Sequence, residues 1–454
     1  MQLNKSKFHF VGIGGIGMCG LAELLHNMGA GVTGSDLSDN ANTQRLRDLG
    51  VKIFKGHSAE NIGDADVVVF SSAINDENPE IQAARAQRVP LIARAEALAE
   101  IMRLKRGLAV AGTHGKTTTT SMTASIFLEA QVQPTIFVGG KFDLIQSTAL
   151  LGDGEWLVAE ADESDGSFHK LSPEIAIITN VDSDHLDFYK TFDQLQKSFY
   201  NFAAKVPFYG VCIICGDDPQ VRELFRNFPK RVVFYGFDEK NELILAGKNG
   251  HYQLDERDGA SRKKLGDFEL KVPGRHNALN ATAAIIAGLK AGFSFETCRK
   301  GLLKFEGVDR RFHYKGEASG IKVYDDYGHH PTEVRATLQA ICEKFPEQRI
   351  VVYFQPHRFS RTEACWVDFT QCFAQADALL LTDIYPAGEM QVPGITSERL
   401  SQEMKHANCV YLPKSPDNAQ DVFSRLRRGD VFLTLGAGDG WKLGLEVLSL
   451  LQKA

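Results

Sequence analysis

The chain has 454 residues, 43% of them apolar and 24% charged, with a formal net charge of −6. That is length for roughly three globular domains of ordinary composition, and the negative balance weighs against nucleic acid or an anionic membrane as the main partner. No stretch reaches the ~18 consecutive apolar residues of a membrane span, and the start MQLNKSKFHF lacks the apolar core of a signal peptide. Eight cysteines are scattered, with a lone Cys212-Ile-Ile-Cys215 inside an apolar run; they read as buried core thiols of a cytoplasmic protein.

Residues 1–106 alternate strand-like and helix-like runs. An apolar run at Phe8–Gly12 leads into Gly12-Ile13-Gly14-Gly15-Ile16-Gly17. A helical pattern follows through Leu21, Leu24, Leu25 and Met28, and a second strand-like run ends at Asp36. This is G-x-G-x-x-G with an acidic residue about 20 positions later, as in a Rossmann unit. Gly14, Gly15, Ile16 and Gly17 would bring backbone N–H groups to a diphosphate, and Asp36 would accept from ribose hydroxyls. The ligand could be NAD or a UDP-sugar, or the turn could bind nothing. Strand candidates at Val51–Phe54, Val67–Ser72 and Val89–Ile92 carry His57, Ser71, Ser72 and Arg94 at their carboxyl ends. In an open parallel sheet that edge binds ligands, although a His or Arg there can also be merely solvated.

Residues 107–313 open on Leu108-Ala-Val-Ala-Gly112-Thr113-His114-Gly115-Lys116-Thr117-Thr118. An apolar strand, a glycine turn and Lys-Thr at a helix start are the physical means of holding nucleotide phosphates. Lys116 adds a charge, and the Thr117 hydroxyl can ligate Mg²⁺. The usual G-x-x-x-x-G-K-[ST] pattern wants a glycine where Val110 stands, so the loop is a shortened form. Strand-like runs at Trp156–Glu160 and Glu174–Asn180 turn acidic at their ends, through Asp162 and Glu163 and through Asp182 and Asp184. Hard oxygen ligands on that edge suit Mg²⁺ bridging ATP phosphates, with Glu160 and His185 as metal or phosphate residues; the alternative is helix N-capping. Val232–Pro273 reads as antiparallel hairpins beside the parallel sheet. Gly274-Arg275-His276-Asn277 opens a helix that could reach a base or ribose, and Arg310-Arg311 could stabilise phosphoryl transfer.

Residues 314–454 form a third α/β unit, with strand candidates at Ile321–Tyr324, Arg349–Phe354, Ala378–Thr382, Cys409–Leu412 and Val431–Leu435. Two strand ends carry unusual chemistry. One is Asp325-Asp326-Tyr327-Gly328-His329-His330-Pro331, with Pro331 placed to start a helix. The other is Gln355-Pro356-His357-Arg358-Phe359-Ser360-Arg361, where Arg358 and Arg361 would share a helical face and bind carboxylates. Together the residues describe a diphosphate pocket, an ATP/Mg²⁺ engine and a carboxylate-recognising domain. A ligase needs all three, because joining a carboxylate to an amine in water is uphill and ATP can activate the carboxylate as an acyl phosphate.

The segments GIGGIGM, GTHGKTTTT, EADESDGSF, TNVDSDHLDFY, GRHNALNA, GVDRRF, DDYGHHPTE and QPHRFSRT resemble the Mur ligases of bacterial peptidoglycan synthesis along essentially the whole chain. Within that family, GIGGIGM with DDYGHHPTE and QPHRFSRT points to addition of L-alanine to UDP-N-acetylmuramate rather than to the later D-Glu, diaminopimelate/Lys or D-Ala-D-Ala steps. The resemblance implies an α/β protein of three domains: a Rossmann-like UDP-N-acetylmuramate domain (1–106), a central P-loop ATP domain with an added antiparallel sheet (107–313) and a Rossmann-like closure domain (314–454). It implies that Gly112–Thr118 hold ATP phosphates and that Thr117, Glu160 and His185 ligate two Mg²⁺ ions. Asn277 and Arg311 would contact ATP, while Asp326, His329, His330, Arg358 and Arg361 would serve closure, nucleotide and L-alanine binding. Lys116, Glu160, His185, Arg311 and His330 carry the expected chemistry, in a monomer or homodimer. The alternatives are a recycling ligase that attaches a tripeptide to the same sugar nucleotide, or an NAD-dependent dehydrogenase built on Gly12–Gly17 and Asp36.

Overall fold

A computed structural model describes residues 3–71, 73–259 and 261–454; Ser72, a predicted binding residue, lies outside them. The strands sort into three sheets in chain order. The first holds β1 (Lys7–Val11), β2 (Gly31–Asp36), β3 (Lys52–Lys55), β4 (Val67–Phe70) and β5 (Leu91–Ala93), in the order β3-β2-β1-β4-β5. Every pairing is parallel, and the order reverses between β1 and β4. The crevice at such a reversal lies outside the carboxyl ends of the strands, where the Gly12–Gly17 loop and Ser71 sit.

The second sheet has ten strands. They are β6 (Arg106–Ala111), β7 (Thr135–Phe142), β8 (Ser147–Leu150), β9 (Trp156–Glu160), β10 (Ile175–Ile178), β11 (Val211–Cys215), β12 (Val232–Gly236), β13 (Leu243–Lys248), β14 (His251–Asp258) and β15 (Ser261–Glu269). The order is β15-β14-β13-β12-β11-β10-β6-β9-β7-β8. The expected hairpins do not form a separate layer: β13 pairs parallel to β12, and β14 and β15 continue the same sheet antiparallel. β6 is central, flanked by β9 and β10, so both acidic strand ends stand beside the phosphate loop. Cys212 and Cys215 are free and buried on β11.

The third sheet, β16 (His313–Ala318), β17 (Ile321–Asp326), β18 (Ile350–Phe354), β19 (Ala378–Leu381), β20 (Cys409–Tyr411) and β21 (Val431–Leu435), runs β16-β17-β21-β18-β19-β20. Only β16 is antiparallel to its neighbour. The first two units share one apolar core that joins Leu21 and Leu25 to Phe137 and Ala149. The helix Ile16–Asn27 is held there by Glu23, which accepts from Ser147 Oγ (3.3 Å) and from Arg45 Nη2 (2.6 Å). The third unit has its own cores and meets the central unit through polar groups.

Candidate active site

β6 runs apolar and buried to Ala111, with Val110 paired to Glu160 on one side and Ile177 on the other. The shortened loop follows directly from this, because the position that would hold the first glycine is still strand core. Gly112 then turns at φ +138°, where a Cβ would lie 1.9 Å from Thr179 Oγ1. Gly115 (φ +81°) caps the helix Lys116–Glu129. That helix is buried from Thr117 to Phe127, so it is not a surface helix. Thr120 and Thr123 spend their hydroxyls inside it, donating to Lys116 O and Thr119 O at 2.8 Å. The loop is laced to the end of β10: Asn180 accepts from His114 N (2.8 Å) and donates to His114 O (2.9 Å), and Thr113 Oγ1 accepts from Asp182 N (2.9 Å). The helix N-terminus and its free N–H groups are thereby held toward a cavity of about 370 Å³.

Beside this loop lies a charge centre. Lys116 Nζ donates to Gly112 O (2.9 Å), Thr113 O (3.1 Å) and Glu163 Oε1 (2.7 Å). Burial opposes its charge, but the carboxylates of Glu163, Asp162 and Glu160 outweigh burial and raise its pKa. Glu163 is fully buried; burial pushes it up to about 7 against the pull of Lys116. Thr117 Oγ1 donates to Glu160 Oε1 (3.1 Å), and Gly139 N donates to Glu160 Oε2 (2.8 Å). His185, at φ +57° before the short helix Leu186–Tyr189, points Nε2 at Glu163 Oε1 from 3.6 Å. Burial lowers its pKa, leaving a neutral imidazole with a lone pair to offer. The Thr117 hydroxyl, the Glu160 carboxylate and the His185 imidazole are donor types that fit Mg²⁺, with oxygen predominating, although among the described residues only His114, Asp182 and His330 bring three carboxylate or imidazole ligand atoms within 4.8 Å of one another.

The third unit closes this cavity. Its Asp326, Thr332 and Glu333 line it together with Gly115, Thr118, Asn277 and Arg311 of the central unit. Arg311 stacks over Tyr327 (4.9 Å) and pairs with Glu333 (3.3 Å). Asn277 Nδ2 donates to Pro273 O (2.7 Å). Asp326 accepts from Phe312 N (2.7 Å), Gly328 N (2.8 Å) and Thr337 Oγ1 (3.0 Å), and burial raises its pKa. His330 caps the helix Pro331–Lys344, whose Glu333 returns to cap the His329 and His330 N–H groups (3.0 and 3.2 Å). Burial drives the His329 pKa down to about 3, so that ring is neutral.

Two junctions tie the third unit to the central one. In the first, His114 Nε2 meets Asp182 (2.9 Å) and its Nδ1 faces Glu333 (3.5 Å), while Thr332 Oγ1 donates to Asp182 (2.7 Å). Burial disfavours the imidazolium, but the two carboxylates prevail and raise the His114 pKa to about 9. Among the described residues His114, Asp182 and His330 offer ligand atoms within 4.8 Å of one another. In the second junction, Arg361 binds Asp184 in a fork, Nε and Nη2 donating to Oδ1 at 3.2 and 3.1 Å, both side chains under 10% exposed. Arg358 does not share a helical face with Arg361. It precedes the helix Phe359–Ala364 at φ +70°, because the chain must turn out of β18 before the helix starts. Both arginines still line a second cavity of about 340 Å³ with Asp182, Asp184 and His330.

The first unit is placed differently from expectation. Asp36 turns back on the glycine loop, accepting from Gly14 N (2.8 Å) and, on its other oxygen, from Ser38 N (3.1 Å), so it closes the loop. Gly15 caps the helix Ile16–Asn27, where Ile16 is 51% exposed. His57 is enclosed with Ser35 (3.0 Å) and Glu80 (3.1 Å), because Glu80 is buried and collects donors. Arg94 lies over Gly17 and reaches Asp162 of the central unit (3.4 Å). Ser71 Oγ accepts from Ala73 N (3.3 Å).

Family models match in chain order: "Mur ligase family, catalytic domain" over residues 7–106, "Mur ligase middle domain" over 110–288 and "Mur ligase, glutamate ligase domain" over 310–438. A UDP-N-acetylmuramate–L-alanine ligase of Bdellovibrio bacteriovorus is 68% identical, covering 99% of this chain and 100% of the relative. The chain belongs to the Mur ligase family. A ligase of the same name from Oleidesulfovibrio alaskensis is 49% identical over 96% of this chain and 97% of its own. The crystal structure of the UDP-N-acetylmuramate–alanine ligase of Thermotoga maritima superposes with a TM-score of 0.82 at 31% identity, covering 99% of this chain and 100% of that one. A murein peptide ligase from Psychrobacter arcticus shares the fold at TM-score 0.72 and 22% identity, over 99% of each chain.

Within this Mur ligase fold, the site residues that were not singled out from sequence are Glu163, Asp182, Asp184 and Glu333. The first three were legible only as acidic strand ends. Glu333 closes a capping box with His330, three positions earlier; its second task, receiving His114 and Arg311, has no local signal.

Proposed function

We propose that this chain joins L-alanine to UDP-N-acetylmuramate at the expense of ATP, releasing ADP and phosphate, in peptidoglycan precursor synthesis. The observation that carries this is one nucleotide-sized cavity shared by the Lys116 helix start and Arg311 of the central unit with Asp326 and Glu333 of the third, next to a second cavity bearing Arg358 and Arg361. Activation and amide formation can then occur in one closed space, with water kept from a reactive acyl phosphate. Lys116 and the helix N-terminus hold the phosphates, and Arg311 offsets charge as the phosphoryl group moves. Thr117, Glu160 and His185 would hold Mg²⁺, which when bound neutralises charge on the phosphates. Gly14–Gly17, Asp36, Ser71 and Arg94 are assigned to the sugar nucleotide, and Arg358, Arg361, His329 and His330 to L-alanine and closure. The change of sheet after Ala93 and before His313 supports domain limits near 106/107 and 313/314. Among the described residues no helix is long and apolar enough to cross a membrane, which agrees with work in the cytoplasm. A dehydrogenase would leave Lys116 and the Thr117–Glu160 pair without a task.

The test is phosphate release with substrates omitted in turn. Release should require ATP, UDP-N-acetylmuramate and L-alanine together. Turnover without L-alanine, equal use of D-glutamate, or preference for a tripeptide would refute the assignment.

A further inference from the structure

The Lys116 ammonium has three protons and, in this structure, three protein acceptors: Gly112 O, Thr113 O and Glu163 Oε1. It can serve a phosphate only by giving up a partner. The two carbonyls belong to its own loop and move with it, whereas Glu163 stands on the end of a neighbouring strand. Glu163 is 0% exposed, its Oε2 has no hydrogen-bond donor, and its backbone is fixed by Tyr189 OH donating to Glu163 O. Once Lys116 leaves, this carboxylate is buried without a counter-charge, a state that a protein interior does not tolerate. The nearest other basic group, His185 Nε2, stands 3.6 Å from the same oxygen, beyond hydrogen-bond reach. A proton or a cation must therefore take the lysine's place.

We propose that Glu163 is a further protein ligand of the divalent cation, and that Lys116 holds its place until nucleotide binds. Arrival of metal and nucleotide would then be an exchange of partners on one buried carboxylate, the phosphate taking Lys116 and the metal, with His185 at 3.6 Å, taking Glu163. The exchange keeps every buried charge paired at both ends and makes phosphate capture by Lys116 depend on metal. This rests on the assignment of Thr117, Glu160 and His185 to Mg²⁺.

The test uses Mn²⁺ as the probe, followed by electron paramagnetic resonance with the full-length chain and a non-hydrolysable ATP analogue. Wild type is compared with Glu163→Gln, Glu163→Asp and Glu160→Gln, each first checked for an intact thermal transition. Glu163→Gln should weaken Mn²⁺ in the ternary complex by roughly tenfold or more. The same variant should bind the analogue in EDTA more tightly than wild type, by roughly threefold, because Lys116 is released; this is less than a full charge-assisted hydrogen bond is worth. Glu163→Asp, which keeps the buried charge, should retain part of the Mn²⁺ affinity. Should Glu163→Gln fail to fold, Glu163→Asp decides by itself: Mn²⁺ affinity equal to wild type despite the shortened reach would overturn the proposal. Unchanged Mn²⁺ affinity in Glu163→Gln with a large loss in Glu160→Gln overturns the role of Glu163 alone. Unchanged affinity in both overturns the metal assignment itself.

Discussion

At the scale of single residues, His114 shows how a loop side chain acquires a task from its neighbours. In sequence it is one letter of a glycine loop. In the fold it stands between Asp182 of the central unit and Glu333 of the third, and its pKa is raised to about 9 against the cost of burial. Its folded pKa therefore lies above the unfolded value near 6.5. The stabilisation is fully present below about pH 6.5 and is lost as pH rises through about 9. Thermal melts of wild type and His114→Gln, run from pH 6 to 10, should differ most at the acid end and converge toward pH 10. Parallel curves would mean that the imidazolium contributes nothing. Lys116 and Glu163 follow the same logic, each supplying the charge that makes the other tolerable in the interior.

At the scale of elements, the phosphate loop depends on a close approach between two strand ends. Gly112 lies where any Cβ would collide with Thr179 Oγ1, in a backbone region that side chains rarely enter. Gly112→Ala should lower the apparent melting temperature, with a cost of about 2 kcal/mol or more from strain and steric overlap. It should also weaken binding of the ATP analogue, because β6 and β10 would be pushed apart at the point where Asn180 laces the loop. Differential scanning fluorimetry and calorimetric titration check the two effects. Normal binding by a stable Gly112→Ala variant would show that the loop does not need this approach.

At the scale of the molecule, the first two units share an apolar core, whereas the third is attached through polar junctions. Such interfaces favour relative motion. The Arg361–Asp184 fork is a buried charge pair across the junction, and removing one partner leaves a buried charge behind. Because the third unit can swing away and let water reach Asp184, Arg361→Ala should open the molecule rather than unfold it. Small-angle scattering should show a larger radius of gyration, and Asp184→Asn combined with Arg361→Ala should recover part of the closed form. Identical scattering from wild type and Arg361→Ala would remove the fork as a closure device.

Some of this was readable along the chain. The strands β1, β6, β9, β10 and β21 stand within a residue or two of their apolar runs, because apolar patterning and the glycine or acidic residue that ends each run act over a few positions. The glycine loops of Gly12–Gly17 and Gly112–Thr118 are local for the same reason, as is the Pro331 helix start. β7 and β8 were not legible: Gly139, Gly140 and Lys141 interrupt the apolar pattern, and pairing with β9 is what makes β7 a strand. The direction of Asp36 into its own loop, the enclosure of His57 by Glu80 and the meeting of Arg361 with Asp184 across 177 residues were decided only by the tertiary structure. Which strand and which loop a segment becomes is written in neighbours along the chain. Which charge answers which depends on groups brought together by burial, where an unpaired charge is costly and the fold must supply its partner.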